Sequence, residues 1–211
     1  MNYFSLFKDY FQYRLKAKDE YFIHSPYMFD FFTKGLKAKM SNKTFKELKL
    51  RTKAMRSDLS CLQLCLRHRN NLFLSRLSAY FAPKRVLVIS DCEDDASFYL
   101  SKILPQTEIV FLDKIDNLNE YDSDAVFDFI YLNLEKTTFE AKLIIDKTLP
   151  YCSSNALIIF GNAVGNSCLK EQWLLLQEDE RFKVTADFFL CKVIFLTQNP
   201  IKKQHYCLLT K

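Results

Sequence analysis

The fold is decided by residues 86–103, which read VLVISDCEDDASFYLSKI. The apolar run Val86–Ile89 predicts a buried strand, and Ser97–Ile103 predicts the helix that follows it. A strand, a short turn and a helix in this order are typical of a doubly wound α/β domain, in which nucleotide-type ligands bind at this first turn. The turn usually contains glycine, because a residue without a Cβ lets the ligand approach the backbone. Here the turn is crowded and acidic.

Glycine is scarce throughout the chain, with three among 211 residues, at positions 35, 161 and 165. None of them falls in the turn 90–96. Ser90 or Asp91 can cap the helix, and the acids at 93–95 complement its positive end, so the turn has a purely structural interpretation. Alternatively, its carboxylates attract cationic groups of a ligand. The residues leave both interpretations open.

The composition is that of a globular chain with a large core, since 49% of residues are apolar and twenty are Phe. No apolar run approaches the roughly 20 residues of a membrane span, and the first residues lack the pattern of a signal peptide. Seven cysteines at irregular spacings indicate free thiols in a reducing compartment. Cys61, Cys65 and His68 offer three possible zinc ligands where four are needed. We therefore expect a cytoplasmic protein without membrane or metal.

The charge divides the chain in two. Residues 1–85 contain 18 Lys/Arg and 6 Asp/Glu, whereas the remainder contains 12 and 19. We predict a basic helical cap at residues 1–83 and an α/β domain at 84–211. An apolar residue recurs at Phe4, Phe7, Phe11 and Leu15, which predicts an amphipathic first helix. Ser25 and Pro26 are a favourable start for the second helix, and the others are expected at Thr44–Arg56 and Leu59–Tyr80.

After Pro83 short apolar segments alternate with helical ones, which predicts a parallel sheet covered on both faces. The strands are expected at Val86–Ile89, Ile109–Leu112, Phe129–Leu132 and Leu157–Phe160. The tail predicts antiparallel strands around a turn at Asn199-Pro200; they are Val184–Phe189, Val193–Thr197 and Tyr206–Leu209.

With this order of elements the chain resembles class I S-adenosylmethionine (SAM)-dependent methyltransferases, and more closely a bacterial group of small methyltransferases with an N-terminal helical cap. The matching segments are His24-Ser25-Pro26-Tyr27, YFAPKRVL at 80–87, FDFIY at 127–131, and the stretch from Leu149-Pro150 through Trp173 to Leu190. The resemblance implies a Rossmann-like, mostly parallel sheet with a C-terminal antiparallel pair. It also implies SAM as cofactor and a small molecule or protein as methyl acceptor.

The sequence departs from the family at its cofactor motifs. The acidic position of the first motif falls on Val88, and its glycine positions fall on Ser90 and Asp94. Asn133-Leu134 replaces the Asp-Gly after the fourth strand, and Gly161-Asn162 replaces the Asp-Asp after the fifth. Only 13 residues, 114–126, separate the second strand from the strand that contains Phe129. A single crossover between parallel strands already needs about a dozen residues. The third strand is therefore expected to be missing, which leaves the second strand near an exposed edge.

The resemblance implies candidate site residues that each have a structural alternative. Asp113 ends the second strand, where the family places an acid on the cofactor ribose. The cofactor candidates are Ser90, Asp91, Asp94, Asp113 and Asn133, and the substrate candidates are His24 and Tyr27. Strand-end turns and a helix entry account for the same residues without a ligand.

Three functions remain open. The first is a divergent SAM-dependent methyltransferase with lost or much weakened SAM binding, and the second is a non-catalytic interaction module that uses the sheet edge and the basic cap. The third is RNA binding by the basic stretch 37–56, which is disfavoured because Phe45 is its single aromatic residue. A cofactor crevice filled by large side chains such as Phe98 or Tyr99 would contradict the enzyme hypothesis.

Overall fold

A computed structural model describes residues 3–37, 46–50, 61–90, 95–121, 126–133, 141–164, 166–197 and 202–209. Seven strands form one sheet in the order β2-β1-β3-β4-β6-β5-β7. The strands are β1 (Arg85–Ser90), β2 (Glu108–Leu112), β3 (Phe127–Asn133), β4 (Cys152–Phe160), β5 (Val184–Asp187), β6 (Lys192–Phe195) and β7 (Gln204–Cys207). The helices are α1 (Tyr3–Lys16), α2 (Pro26–Asp30), α3 (46–50), α4 (Cys61–Phe81), α5 (Ala96–Ile103), α6 (Ala141–Thr148) and α7 (Ser167–Glu178).

The sheet is mostly parallel, as predicted. Strands β1 to β4 run in one direction, and β6 is antiparallel to both β4 and β5. The strand directions in the tail also alternate as predicted, but β7 pairs in parallel with β5 instead of with β6. Because β6 already has a partner on each side, the last strand cannot pair with it and joins the neighbouring strand β5 instead.

Among the described residues, no strand occupies the place of the third strand of the family pattern, as the short connection predicts. Between β2 and β3 the described residues form a 3₁₀-helix, Ile115–Glu120, and no strand. Strand β2 therefore ends the sheet, and the side chain of Phe111 on it is 47% exposed. Within the described ranges no strand pairs with the outer side of β2, so its backbone groups there can pair with another chain.

Each face of the sheet has its own hydrophobic core. On one face, alternate strand residues such as Val88 and Phe129 pack against α2, α4 and α5. On the other face, Ile89 and Ile130 pack against α6 and α7. Helices α2 and α4 of residues 1–83 therefore lie, together with α5, in one of the two layers that cover the sheet. The division at residue 83 itself stays a prediction.

The second helix begins where the sequence predicts. The Ser25 hydroxyl accepts a hydrogen bond from the Met28 backbone N–H at 3.4 Å, and Pro26 is the first helical residue. The helix continues as a π-helix, Phe31–Leu36. Of the two later helices predicted in the cap, the long one forms as α4, whereas only residues 46–50 of the other lie within the described residues.

The first helix forms, but its apolar stripe faces outward. Phe4, Phe7, Phe11 and Leu15 are 76%, 68%, 56% and 72% exposed. Helix α1 docks instead through the buried Tyr13, whose hydroxyl donates a hydrogen bond to the Leu208 carbonyl. Just beyond α1, the Lys18 backbone donates to the Cys207 carbonyl at 2.8 Å and accepts from the Leu209 N–H at 3.1 Å. The N-terminal segment is thus tied to the end of β7.

Candidate functional site

The carboxyl-terminal ends of four neighbouring strands, β2, β1, β3 and β4, lie side by side. Ser90 pairs with Asn133, and the residues just before Asp113 and Gly161 pair with Ile89 and Leu132 respectively. Asp113, Ser90, Asn133 and Gly161 therefore form one row at the carboxyl ends of the parallel strands. Ligands of open α/β sheets bind beside the carboxyl ends of the strands.

Buried amide side chains connect this row to helix α4. Asn133 donates to the Ser90 hydroxyl at 3.3 Å and accepts from the Asn162 side chain at 2.9 Å. The Asn162 backbone N–H donates to the Asn70 side-chain oxygen at 3.3 Å, and the Asn70 amide donates to the Tyr131 hydroxyl at 2.9 Å. We call these five residues the strand-end network. Ser90, Asn133, Asn70 and Tyr131 are at most 2% exposed.

The backbone at 161–162 explains how the network fits together. A Cβ at Gly161 would lie 2.2 Å from the Tyr131 hydroxyl, so only glycine leaves room for that ring. Asn162 has a φ of 47°, in the left-handed region that asparagine tolerates better than most residues. The sequence marks 161–162 as a departure from the family pattern. It offers a weaker signal for Asn70, which is one of two consecutive asparagines inside a long helix.

The structure brings together two of the predicted cofactor residues, Ser90 and Asn133. Asp113 lies in the same row, is exposed and accepts a hydrogen bond from the Asn117 side chain at 2.7 Å. Asp91 and Asp94 lie outside the described residues.

The predicted substrate residues lie elsewhere. His24 is exposed, and the half-exposed Tyr27 ring packs edge-on against Phe195, 6.2 Å between ring centroids. Phe195 is the end of β6 that is remote from the strand-end row, since Lys192 at its other end pairs with Phe160. His24 and Tyr27 are therefore not gathered with Ser90 and Asn133.

The Tyr99 ring is fully buried, but its contacts are with the cap helices. Its hydroxyl donates to the Leu48 carbonyl at 2.9 Å and lies 2.8 Å from His68 Nδ1. Phe98 packs beside it in the same small cluster. The buried aromatic ring that belongs to the strand-end network is Tyr131. Burial, assisted by the nearby Lys49, lowers the pKa of His68 below its usual 6.5.

In the described part of the chain, no three His, Cys, Asp or Glu side chains are grouped as metal ligands would be. Cys65 is exposed, whereas His68 is buried against Tyr99. Within the same residues, no helix is long and apolar enough to cross a bilayer.

No protein-family model matches the chain, and neither does any curated protein. Solved structures do. The SAH-bound methyltransferase PaMTH1 from Podospora anserina matches with a TM-score of 0.54 and 12% identity over 83% of this chain and 97% of its own. The cofactor-bound protein Rv0187 from MTB matches with a TM-score of 0.52 and 13% identity over 75% of this chain and 92% of its own.

The chain has the class I methyltransferase fold. At such low identity the matches show the fold and nothing finer, so the question of SAM depends on the residues at the strand ends. A cofactor there needs polar groups that it can reach and backbone that it can approach. Ser90 and Asn133 are instead buried and bonded to each other, and Asp113 alone of the described candidates is exposed. Among the described residues, the polar side chains at the strand ends other than Asp113 are therefore engaged with one another and not presented to a ligand.

Proposed function

We propose that this methyltransferase-fold protein has lost, or greatly weakened, SAM binding and functions as a non-catalytic binding module. The observation that supports the proposal is the strand-end network. Its amide and hydroxyl groups satisfy one another where a methyltransferase of this fold would present them to the cofactor.

The energetic argument concerns the opening of this network. A cofactor that bonds to Ser90 and Asn133 would have to replace the hydrogen bonds of the Asn133 side chain, which is 0% exposed and bonded at both its nitrogen and its oxygen. A buried polar group left without a partner costs about 1–3 kcal/mol. Breaking both bonds would therefore consume much of the binding free energy of a micromolar ligand, about 8 kcal/mol.

An active methyltransferase is the alternative, and the exposed Asp113 supports it. In that case Asp113, Asp91 and Asn133 hold the cofactor, and the helical cap holds the methyl acceptor. Catalysis by this fold would come mainly from proximity and orientation of the two reactants. A binding module, by contrast, offers the open edge of β2, where a partner strand can pair beside Phe111.

Calorimetric titration of SAM and of its demethylated product into the full chain tests the proposal. We expect no heat of binding up to millimolar ligand from protein whose folding is confirmed by circular dichroism. Asp113→Ala should then behave as the wild type does. Micromolar binding that Asp113→Ala weakens would overturn the proposal and establish a working cofactor site.

A further inference from the structure

A pocket of about 340 Å³ lies between α1, the first half of α4 and the loop that joins β5 to β6. Its wall includes Leu6, Tyr10, Tyr13, Arg69, Phe188 and Phe189. The β5–β6 loop lies at the same end of the strands as the strand-end network, because Lys192, the first residue of β6, pairs with Phe160, the last residue of β4. The pocket and the network nevertheless share no residue.

The wall at Phe189 is held in a strained conformation. Its φ of 65° lies in the left-handed region, where a bulky residue is unusual. The Asp187 carboxylate accepts a hydrogen bond from the Phe189 N–H at 2.9 Å and pairs with the largely buried Lys192 ammonium at 2.5 Å. Strain that neighbouring groups maintain in this way points to function.

Two tyrosines of α1 hold the Phe189 ring on its other side. The ring centroids lie 5.1 Å from Tyr10 and 5.2 Å from Tyr13. The Tyr13 hydroxyl donates to the Leu208 carbonyl, and burial raises the pKa of this tyrosine above its usual 10.0. The phenol is therefore neutral, so this side of the pocket presents aromatic surface without charge.

Arg69 is the single charged residue among the described residues that line the pocket. It is exposed, and within the described part of the chain its guanidinium has neither a salt bridge nor a hydrogen bond. A planar guanidinium beside an apolar wall recognises a carboxylate, because its N–H groups match the two carboxylate oxygens. The wall and Arg69 together fit an amphipathic anion.

We propose that the pocket binds an apolar carboxylic acid, with the carboxylate on Arg69 and the hydrocarbon against the aromatic wall that Tyr10 and Phe189 form together. Its size suits a molecule of roughly two fused rings, because a cavity of about 150 Å³ holds benzene. The proposal goes beyond the proposed function and does not depend on it, since neither SAM nor the strand-end network takes part.

The test is calorimetric titration of 2-naphthoate and of its uncharged amide into the full chain. We expect the acid to bind about tenfold more tightly or better, as a hydrogen bond to a charged group implies. Arg69→Gln should remove this preference. Arg14→Gln, which removes an exposed charge from α1 outside the pocket wall, should retain it.

A second variant tests the apolar half of the site without straining the fold. Phe189→Gly removes the ring but suits the positive φ, so the protein should stay folded. It should weaken the acid and the amide by a similar factor. The proposal is overturned if 2-naphthoate does not bind, if acid and amide bind equally to the wild type, or if Arg14→Gln and Arg69→Gln have the same effect. None of these outcomes depends on whether SAM binds.

Discussion

Replacing Gly161 by alanine should strongly destabilise the protein, because this glycine makes room for the Tyr131 ring. The new Cβ would lie 2.2 Å from the hydroxyl and 2.4 Å from two ring carbons, separations that real Cβ atoms do not show. Tyr131 cannot move away easily, since it is fully buried and its hydroxyl accepts a hydrogen bond from Asn70.

The expected loss follows from two contributions. Overpacking a close-packed core costs about 1–3 kcal/mol. Displacing the Tyr131 hydroxyl from Asn70 removes a hydrogen bond worth about 0.5–1.5 kcal/mol. Together they predict that Gly161→Ala lowers the free energy of unfolding by about 1.5–4.5 kcal/mol.

Urea denaturation followed by circular dichroism measures this loss, and Gly35→Ala is the matched control. An added Cβ at Gly35 would lie 3.0 Å from the Tyr80 Cγ, a contact that a shift of a few tenths of an ångström between the two residues relieves. Alanine also gains about 1 kcal/mol of helix propensity there. We expect the control to change stability by less than about 1 kcal/mol. The reasoning is refuted if Gly161→Ala lies within about 0.5 kcal/mol of the wild type, the usual range for harmless surface changes.

Two further predictions concern titratable side chains. Because the pKa of His68 is lowered in the folded protein, the unfolded chain takes up the proton first, and stability should fall as the pH drops below 6.5. Urea denaturation between pH 8 and pH 5 gives the free energy of unfolding at each pH. This free energy should fall less steeply with decreasing pH in His68→Gln than in the wild type, and an equal pH dependence would contradict the lowered pKa of His68. Cys65 is exposed, whereas burial raises the pKa of Cys152 to about 12 and that of Cys207 to about 11. Cys65→Ser should therefore remove one rapidly reacting thiol in a titration with Ellman's reagent, and an unchanged fast phase would contradict the exposure of Cys65.

Much of the fold was predictable because its signals are local. The apolar runs at 86–89 and 157–160 indicate buried strands, Ser25-Pro26 fixes a helix start, and a 13-residue connection leaves no room for a third strand. The pairing of β7 with β5 could not be predicted in this way. Strand direction follows from connection length, but the choice of partner depends on which sheet edge is still free.

The candidate site was only half predictable. The departures at Ser90, Asn133 and 161–162 mark an altered strand-end row. The hydrogen bond that joins Asn162 to Asn70, however, spans 92 positions of sequence. The outward stripe of α1 was equally hidden. The periodicity of its apolar residues predicts the helix correctly. It does not reveal whether the apolar face packs against the rest of the chain or faces outward.

The contact of α1 with β7 has a consequence for the order in which the chain folds. Tyr13 and Leu208 are separated by 195 positions, so the docking partner of the first helix is synthesised long after the helix itself. At about 5–20 residues per second, roughly 10–40 s pass on the ribosome between these two events. Throughout that interval the aromatic side chains of α1 are accessible to chaperones. The contact between the first helix and the end of β7 therefore forms long after the helix has been synthesised.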